Sequence, residues 1–339
     1  MLVDRYYYQQ LNKYEQEVYK AFYKGVMSHE DIIPLPIRGK MSDETFDKIY
    51  AALTLDNPLI YFVNQSMCGY ATDMFGRTAI CPQYFYSYDK VREYNRRIEK
   101  IIGGLVGQLQ LATGSEYEKE KKIHDWMWRN VEYDFDGSDM NNPSRVVAAH
   151  NIIGVLFHHK AQCEGIAKAM KVLLNAVGVK CIVVEGDAND GKKDGPHAWN
   201  IVKIDNMPYQ LDVTWDINFK SSVPSQISYN YFNVTDEIMN KAHHAFSCMP
   251  ECVDTTANYF IKEGLEFKNK RQLFAYIKKS IEQGNSDFYF RIQGKTRASV
   301  VINEVANYVS SILADSGKQR MQIQKIPVDD AGVCWMRFI

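Results

Sequence analysis

Between residues 163 and 214 the apolar pattern changes its period, and this change constrains the fold more than any other feature of the chain. In the segment CEGIAKAMKVLLNAVG, Ile166, Ala169, Met170, Leu173, Leu174 and Val177 fall on one face of a helix. Two extended runs follow, His197–Ile204 and Tyr209–Thr214, joined by the turn-forming Asp205-Asn206-Met207-Pro208. A striped helix and pleated strands each need a covering layer, so the region reads as mixed helix and strand.

That pattern sets Cys163 at the first turn of its helix. Unpaired backbone N–H groups and the positive end of the helix dipole favour thiolate over thiol there, the condition for a reactive cysteine. The same N–H groups can receive an oxyanion when a thiolate attacks a carbonyl. A cysteine in this position is by itself more often a small buried residue than a nucleophile. The downstream strands change the balance. A two- or four-residue hairpin loop at Asp205–Pro208 predicts that His197 faces Thr214 and lies diagonal to Asp212 on one face. A carboxylate holding one ring nitrogen of a histidine fixes its tautomer and leaves the other nitrogen to serve a thiol. By the same alternation Trp199 shares a face with His197.

Three pieces, Gln162-Cys163-Glu164-Gly165, His197-Ala198-Trp199-Asn200 and Leu211-Asp212-Val213-Thr214, in the order Cys, His, Asp, resemble the motifs of the transglutaminase-like superfamily. The resemblance covers roughly residues 115–260. It implies an α+β, papain-like core, with a helix bearing the cysteine packed on an antiparallel sheet bearing the histidine and the aspartate. It further implies Cys163 as nucleophile, His197 as general base and Asp212 as the orienting acid. Gln162 stands where animal transglutaminases carry a glutamine before the nucleophile, and is with Trp199 a candidate on the oxyanion or substrate side. Glu164 departs from the tryptophan of those enzymes, which weighs against transamidation. The run YFNVTDEIM and Pro250-Glu251-Cys252 are closer to the bacterial protease-like branch.

Around this core, α+β additions are expected over 1–110 and 261–339, leaving 111–260 as the catalytic part. Helices are predicted from Val18, Phe22 and Val26, from the N-cap Ser42, and from the capping box Ser115-Glu116-Tyr117-Glu118. IYFV (60–63) and ICPQYFYSY (80–88) read as strands, and VVAAHNIIGVLFHHKAQ is ambiguous between helix and strand. The C-terminal end reads helix (Leu273, Ile277, Ile281), strand (288–292), helix (Val300–Val309) and two strands. Ile37-Arg38-Gly39-Lys40 and Ile292-Gln293-Gly294-Lys295 fall at equivalent places in the two ends, a weak repeat signal for which chance convergence of βα patterns is the favoured reading.

A net charge of -1 over 339 residues gives no field for recruiting nucleic acid or anionic lipid. Seven scattered cysteines do not make a disulfide framework. No run is long enough to span a bilayer and no leader pattern is evident, so a cytoplasmic protein is expected. His243, His244, Cys248 and Cys252 have zinc-ligand side chains but match no closed zinc spacing, so a structural role is expected. Asp187–Gly191 lacks the glycine position and closing glutamate of a calcium loop. His158 and His159 rank below His197 as bases, having no carboxylate at a workable spacing. No metal and no cofactor is expected. The chemistry expected is acyl transfer from a peptide or side-chain amide through a cysteine thioester, with water favoured as acceptor and a protein or peptide as substrate. Protein-glutamine transamidation, and a silent module holding a peptide or glycan, are the alternatives.

Overall fold

The computed structural model describes residues 5–189, 194–294, 296–315 and 322–339. Its contacts divide the chain into two compact units, Met1–Glu185 with His197–Asp205, and Gly186–Pro196 with Asn206–Ile339. Helices and strands are mixed along the chain and most strand pairs are antiparallel, as in an α+β fold.

In the first unit, helix α1 (Lys13–Met27) opens on a capping box between Asn12 and Glu15 and buries Val18, Phe22 and Val26. Strand β1 (Ile33–Arg38) follows, then helix α2 (Asp43–Asp56), which starts at the predicted cap Ser42. Strands β2 (Gly69–Thr72) and β3 (Arg77–Cys81) complete an antiparallel sheet in the order β1-β3-β2. IYFV is not a strand: its four residues are all buried, in turns that continue from α2, with one bridge from Val63 to Tyr84. Continuous burial imitated a strand's composition without a ladder. The second aromatic run is strand only to Cys81, because Pro82 supplies no N–H. From the cap Ser87 it becomes helix α3 (Tyr88–Gln108), which the sequence reading missed.

Helix α4 (Glu116–Asn130) opens on the predicted box, Ser115 with Glu118. A short strand β4 (Glu132–Tyr133) leads to two short helices, α5 (Pro143–Ala149) and α6 (Ile152–His158), each capped by an asparagine, Asn142 and Asn151. These resolve the ambiguous stretch. Strand β5 (Lys160–Ala161) pairs parallel with β4 and delivers the chain to helix α7 (Cys163–Ala176).

Strands β6 (Lys180–Asn189) and β7 (Asp194–Ile204) are sheet neighbours, and β9 (His243–Ala245) pairs antiparallel with the end of β6, Gly186 to Ala245. Asp190 and Gly191 of the calcium-like sequence lie outside the described residues. Between β7 and β8 (Met207–Leu211), Asp205 and Asn206 take φ of 51° and 68°, two left-handed residues in succession, so the turn has two residues. Strand β8 stops at Leu211. Asp212 caps helix α8 (Val213–Phe219), so Thr214 is helical and cannot take the strand position opposite His197 that the alternation predicted. A side-chain oxygen one residue before four groups able to form a turn makes an N-cap, and capping overrode the strand pattern.

The second unit ends in strand β10 (Glu266–Phe267), helix α9 (Lys270–Glu282), strand β11 (Asp287–Ile292), helix α10 (Ala298–Asp315) and strands β12 (Ile323–Val328) and β13 (Val333–Phe338). The sheet order is β10-β11-β13-β12. Phe288, Phe290, Met336 and Phe338 meet Leu273, Ile277, Val301 and Val305 in one buried cluster. Among the described residues no helix is long and apolar enough to cross a membrane.

Candidate active site

Cys163 is the first helical residue of α7, half-buried and a free thiol. What fixes the start of α7 is the turn between α5 and α6. The Gln162 N–H donates to the Ala149 carbonyl at 2.9 Å. Gly165 comes so close that a Cβ there would lie 2.4 Å from the Ala149 carbonyl oxygen and 2.9 Å from that of Asn151. Only glycine fits, which gives a physical reason for the Cys-Glu-Gly order. Gln162 is the N-cap residue, but its side chain does not cap the helix. Its amide nitrogen donates instead to the Asp134 carbonyl at 3.2 Å and to Ser138 Oγ at 3.0 Å. The loop it holds is pinned a second time by Arg145, whose Nε donates to Asp134 at 2.9 Å and whose Nη2 reaches Asp136 at 3.1 Å. With no side-chain cap on the first turn of α7, its N–H groups keep the character that favours an anion.

The helix is held on β6 and β7 within the first unit. Ala167, one turn after Cys163, shares a buried cluster with Val183 of β6, Leu55 of α2 and Ala198, the neighbour of His197. The Asn200 amide donates to the Ala167 carbonyl at 3.0 Å and to that of Ile182 at 3.1 Å, tying β7 to α7 and β6 in one fully buried group. Tyr7 Oη donates to the Val183 carbonyl at 2.6 Å, so the first residues of the chain reach this packing too. His197 is half-buried, and its ring stacks on Trp199 at 6.1 Å and 17°. Two residues apart on a strand, the rings share the face that alternation assigns them.

Asp212 belongs to the second unit and is fully buried. Its Oδ1 accepts the Trp215 N–H at 3.0 Å as the cap of α8, and its Oδ2 accepts from His243 Nε2 at 2.9 Å. A carboxylate only accepts, so the proton of this bond is on Nε2. His243 is as buried as Asp212, and the Trp215 ring lies against it at 4.3 Å. The sequence reading grouped His243 with His244, Cys248 and Cys252. In the structure His244 is exposed, and Cys252 is buried with its Sγ turned to the Pro250 carbonyl at 3.5 Å. The bond from His243 to Asp212 joins residues 31 apart, and no local pattern announces it.

A second histidine–carboxylate pair stands at the start of α7. His150 Nδ1 lies 3.1 Å from Glu164 Oε2, and Glu164 also pairs with Lys168 one turn on. Burial works to raise the Glu164 carboxyl, but Lys168 and His150 outweigh it and hold the group down to about 2. Glu185 of β6 moves the other way, raised by burial and by Glu164. His158 and His159, weighed earlier as bases, are exposed at the end of α6. Of the other thiols, burial pushes Cys68 and Cys334 up to about 12 and raises Cys252 as well, which disfavours their thiolate forms.

Residues 104–212 match the family model of the transglutaminase-like superfamily, a span that contains Cys163, His197 and Asp212. A comparison with curated proteins finds no match. Among solved structures, a TGase is similar at 16% identity over 54% of this chain and 50% of its own, with a TM-score of 0.30. A candidate cysteine protease from Cytophaga hutchinsonii is similar at 14% identity over 41% of this chain and 51% of its own, with a TM-score of 0.29. The matches thus span about half the length of each of these structures. The likeness to the transglutaminase-like superfamily thus belongs to the segment 104–212.

Proposed function

We propose that the protein transfers an acyl group from a peptide or side-chain amide to water through a thioester on Cys163. The observation that carries this is the start of α7, where a half-exposed thiol occupies the first helical position above a helix end that no side chain caps. The Ala167–Ala198 cluster supports the reading, because it roots the nucleophile's helix and the His197 strand in one buried group.

In this reaction the Cys163 thiolate attacks the carbonyl carbon, and the electron pair of the C=O bond moves to oxygen, where the first-turn N–H groups receive it. His197, having taken the thiol proton, returns it to the leaving nitrogen as the C–N bond breaks, and an amine departs from a thioester. Water then repeats the sequence. Its proton goes to His197, its oxygen bonds to the acyl carbon, and the thiolate leaves. Asp212, third in the motif order, is assigned to orient the histidine. Gln162 is assigned to hold the loop at 134–138 beside the nucleophile, and Trp199 to fix the His197 ring by stacking.

The test is mapping of iodoacetamide adducts by mass spectrometry near neutral pH, together with hydrolysis of a panel of short peptide amides. Cys163 is expected to be modified ahead of Cys68 and Cys248, and Cys163→Ala to abolish hydrolysis while keeping the fold. Equal labelling of the three thiols would remove Cys163 as nucleophile. Incorporation of a labelled amine in preference to water would convert the reading to transamidation.

A further inference from the structure

We infer that His243 is a positioning residue that fixes the Asp212 carboxylate, a fourth member that the order Cys, His, Asp does not contain. The inference rests on the proposed role of Asp212 as the group that orients the histidine. Helix α8 by itself accounts for only one oxygen of that carboxylate. The cap uses Oδ1, which accepts the Trp215 N–H at 3.0 Å, and a serine or threonine hydroxyl would serve a helix start as well. Oδ2 is not needed for capping, and His243 Nε2 donates to it at 2.9 Å, with both side chains fully buried. Taking an imidazole and a carboxylate out of water together is a poor route to stability, since apolar side chains of similar volume fill such a place as well or better. The bond has a second consequence, which is the orientation of Asp212.

The last torsion of an aspartate is broad and nearly twofold, so a single bond to Oδ1 leaves the plane of the carboxylate free to turn. A donor on the other oxygen stops the turn, provided that the donor is itself fixed. His243 is fixed by backbone and ring alike. Its backbone lies in β9, where it pairs with Ala188 of β6. Its ring lies 4.3 Å from the Trp215 ring and 5.8 Å from that of Tyr231, and those two rings meet edge to face at 5.0 Å. The same two residues hold Asp212 by their main chain: the Trp215 N–H donates to Oδ1, and the Tyr231 carbonyl accepts the Asp212 N–H at 3.0 Å. Asp212, Trp215, Tyr231 and His243 thus form one closed group within the second unit. Each carboxylate oxygen has two lone pairs, so an Asp212 held at both oxygens can still accept a further donor, as orienting a histidine requires.

The experiment is steady-state hydrolysis, by the full chain, of a short peptide amide that wild type cleaves, for wild type, Cys163→Ala, Asp212→Ala, His243→Phe, His243→Gln and the double variant Asp212→Ala with His243→Phe. His243→Phe keeps a ring against Trp215 but has no donor, and is expected to lower kcat about ten- to a hundredfold with KM within about threefold. His243→Gln, whose amide restores an N–H donor, is expected to be at least about threefold faster than His243→Phe. In the Asp212→Ala background His243→Phe is expected to change kcat by less than about twofold, because a residue that acts only through Asp212 has nothing left to act on. Circular dichroism checks that each variant is folded, and His243→Leu takes the place of His243→Phe if the latter is not. Losses that multiply in the double variant, wild-type kcat in folded His243→Phe, or no gain in His243→Gln overturn the inference and leave Asp212 in its proposed role. If wild type cleaves no peptide amide, if Cys163→Ala still cleaves it, or if Asp212→Ala turns over as wild type does, the reading of the site itself fails, and this inference with it.

Discussion

The two ends of the chain share one topology and bury it differently. Each runs helix, strand, helix, strand, strand, and in each the three strands stand in the order first, third, second with antiparallel pairing: β1-β3-β2 and β11-β13-β12. The match extends to details. Both first helices open on an asparagine cap with Glu or Gln three residues on, Asn12 with Glu15 and Asn269 with Gln272. Both first strands are followed within two residues by a glycine of positive φ, Gly39 at 91° and Gly294 at 111°. The sequence reading favours chance convergence over a repeat, and the structure adds to the few identities a strand order and pairing common to both ends.

Burial separates them. In β1 the residues alternate, and Pro34 and Pro36 face solvent on an edge strand where a missing N–H costs nothing. In β11 and β13 nearly every residue is buried, so that sheet is covered on both faces. The covering of the second face comes from the same unit. Tyr289 Oη donates to Asn230 at 2.8 Å and accepts the Tyr229 N–H at 2.8 Å, and its ring lies 4.9 Å from Phe260. Beside it Arg291 is buried against Glu266 at 3.2 Å under the Phe260 ring. A single topology thus tolerates an open face or a polar buried one, and what differs is the price of a lost partner.

The largest effect is expected at Arg291. Glu266→Leu leaves a buried guanidinium without its anion and is expected to cost about 3–5 kcal/mol in urea unfolding. The double variant with Arg291→Met should recover most of it, and a loss below about 1 kcal/mol would mean that the second face of the C-terminal sheet is not sealed. Tyr289→Phe should be milder, about 1–3 kcal/mol, since the Tyr229 N–H loses its acceptor and Asn230 its donor.

Acid sensitivity is expected to belong to neither end but to the helix that Cys163 opens. Glu164 is held at about 2, below the ordinary carboxyl value, so its contribution is complete above about pH 4.5 and disappears as pH falls towards 2. Wild type should therefore be more stable than Glu164→Gln at neutral pH, and thermal melts should show the gap closing below about pH 4. A gap that widened on acidification would reverse the assignment. The smallest effect belongs to the exposed ion pair of the N-terminal hairpin, Arg77 with Asp73. Asp73→Asn should leave the unfolding midpoint where it is, in contrast to the buried pair at the other end.

Much of this protein was legible because it is local. The caps at Ser42 and Ser115, the stripe behind Cys163 and the strand ending at Ile292 follow from side-chain period and from hydrogen bonds made within four residues. The order Cys163, His197, Asp212 carried the resemblance to the superfamily whose model matches 104–212 for the same reason, since motif order is a property of the chain. Where the sequence misled, a local rule met a competing one: Asp212 left the strand because its carboxylate caps a helix, and IYFV is buried without pairing. The bonds His243–Asp212, His150–Glu164 and Tyr289–Asn230 join residues 31, 14 and 59 apart, and only the folded chain brings such groups within 3.1 Å. Whether a sheet has one face in water or none is equally a tertiary matter, because it depends on which distant segment covers it, and nothing in the five elements of either end encodes that.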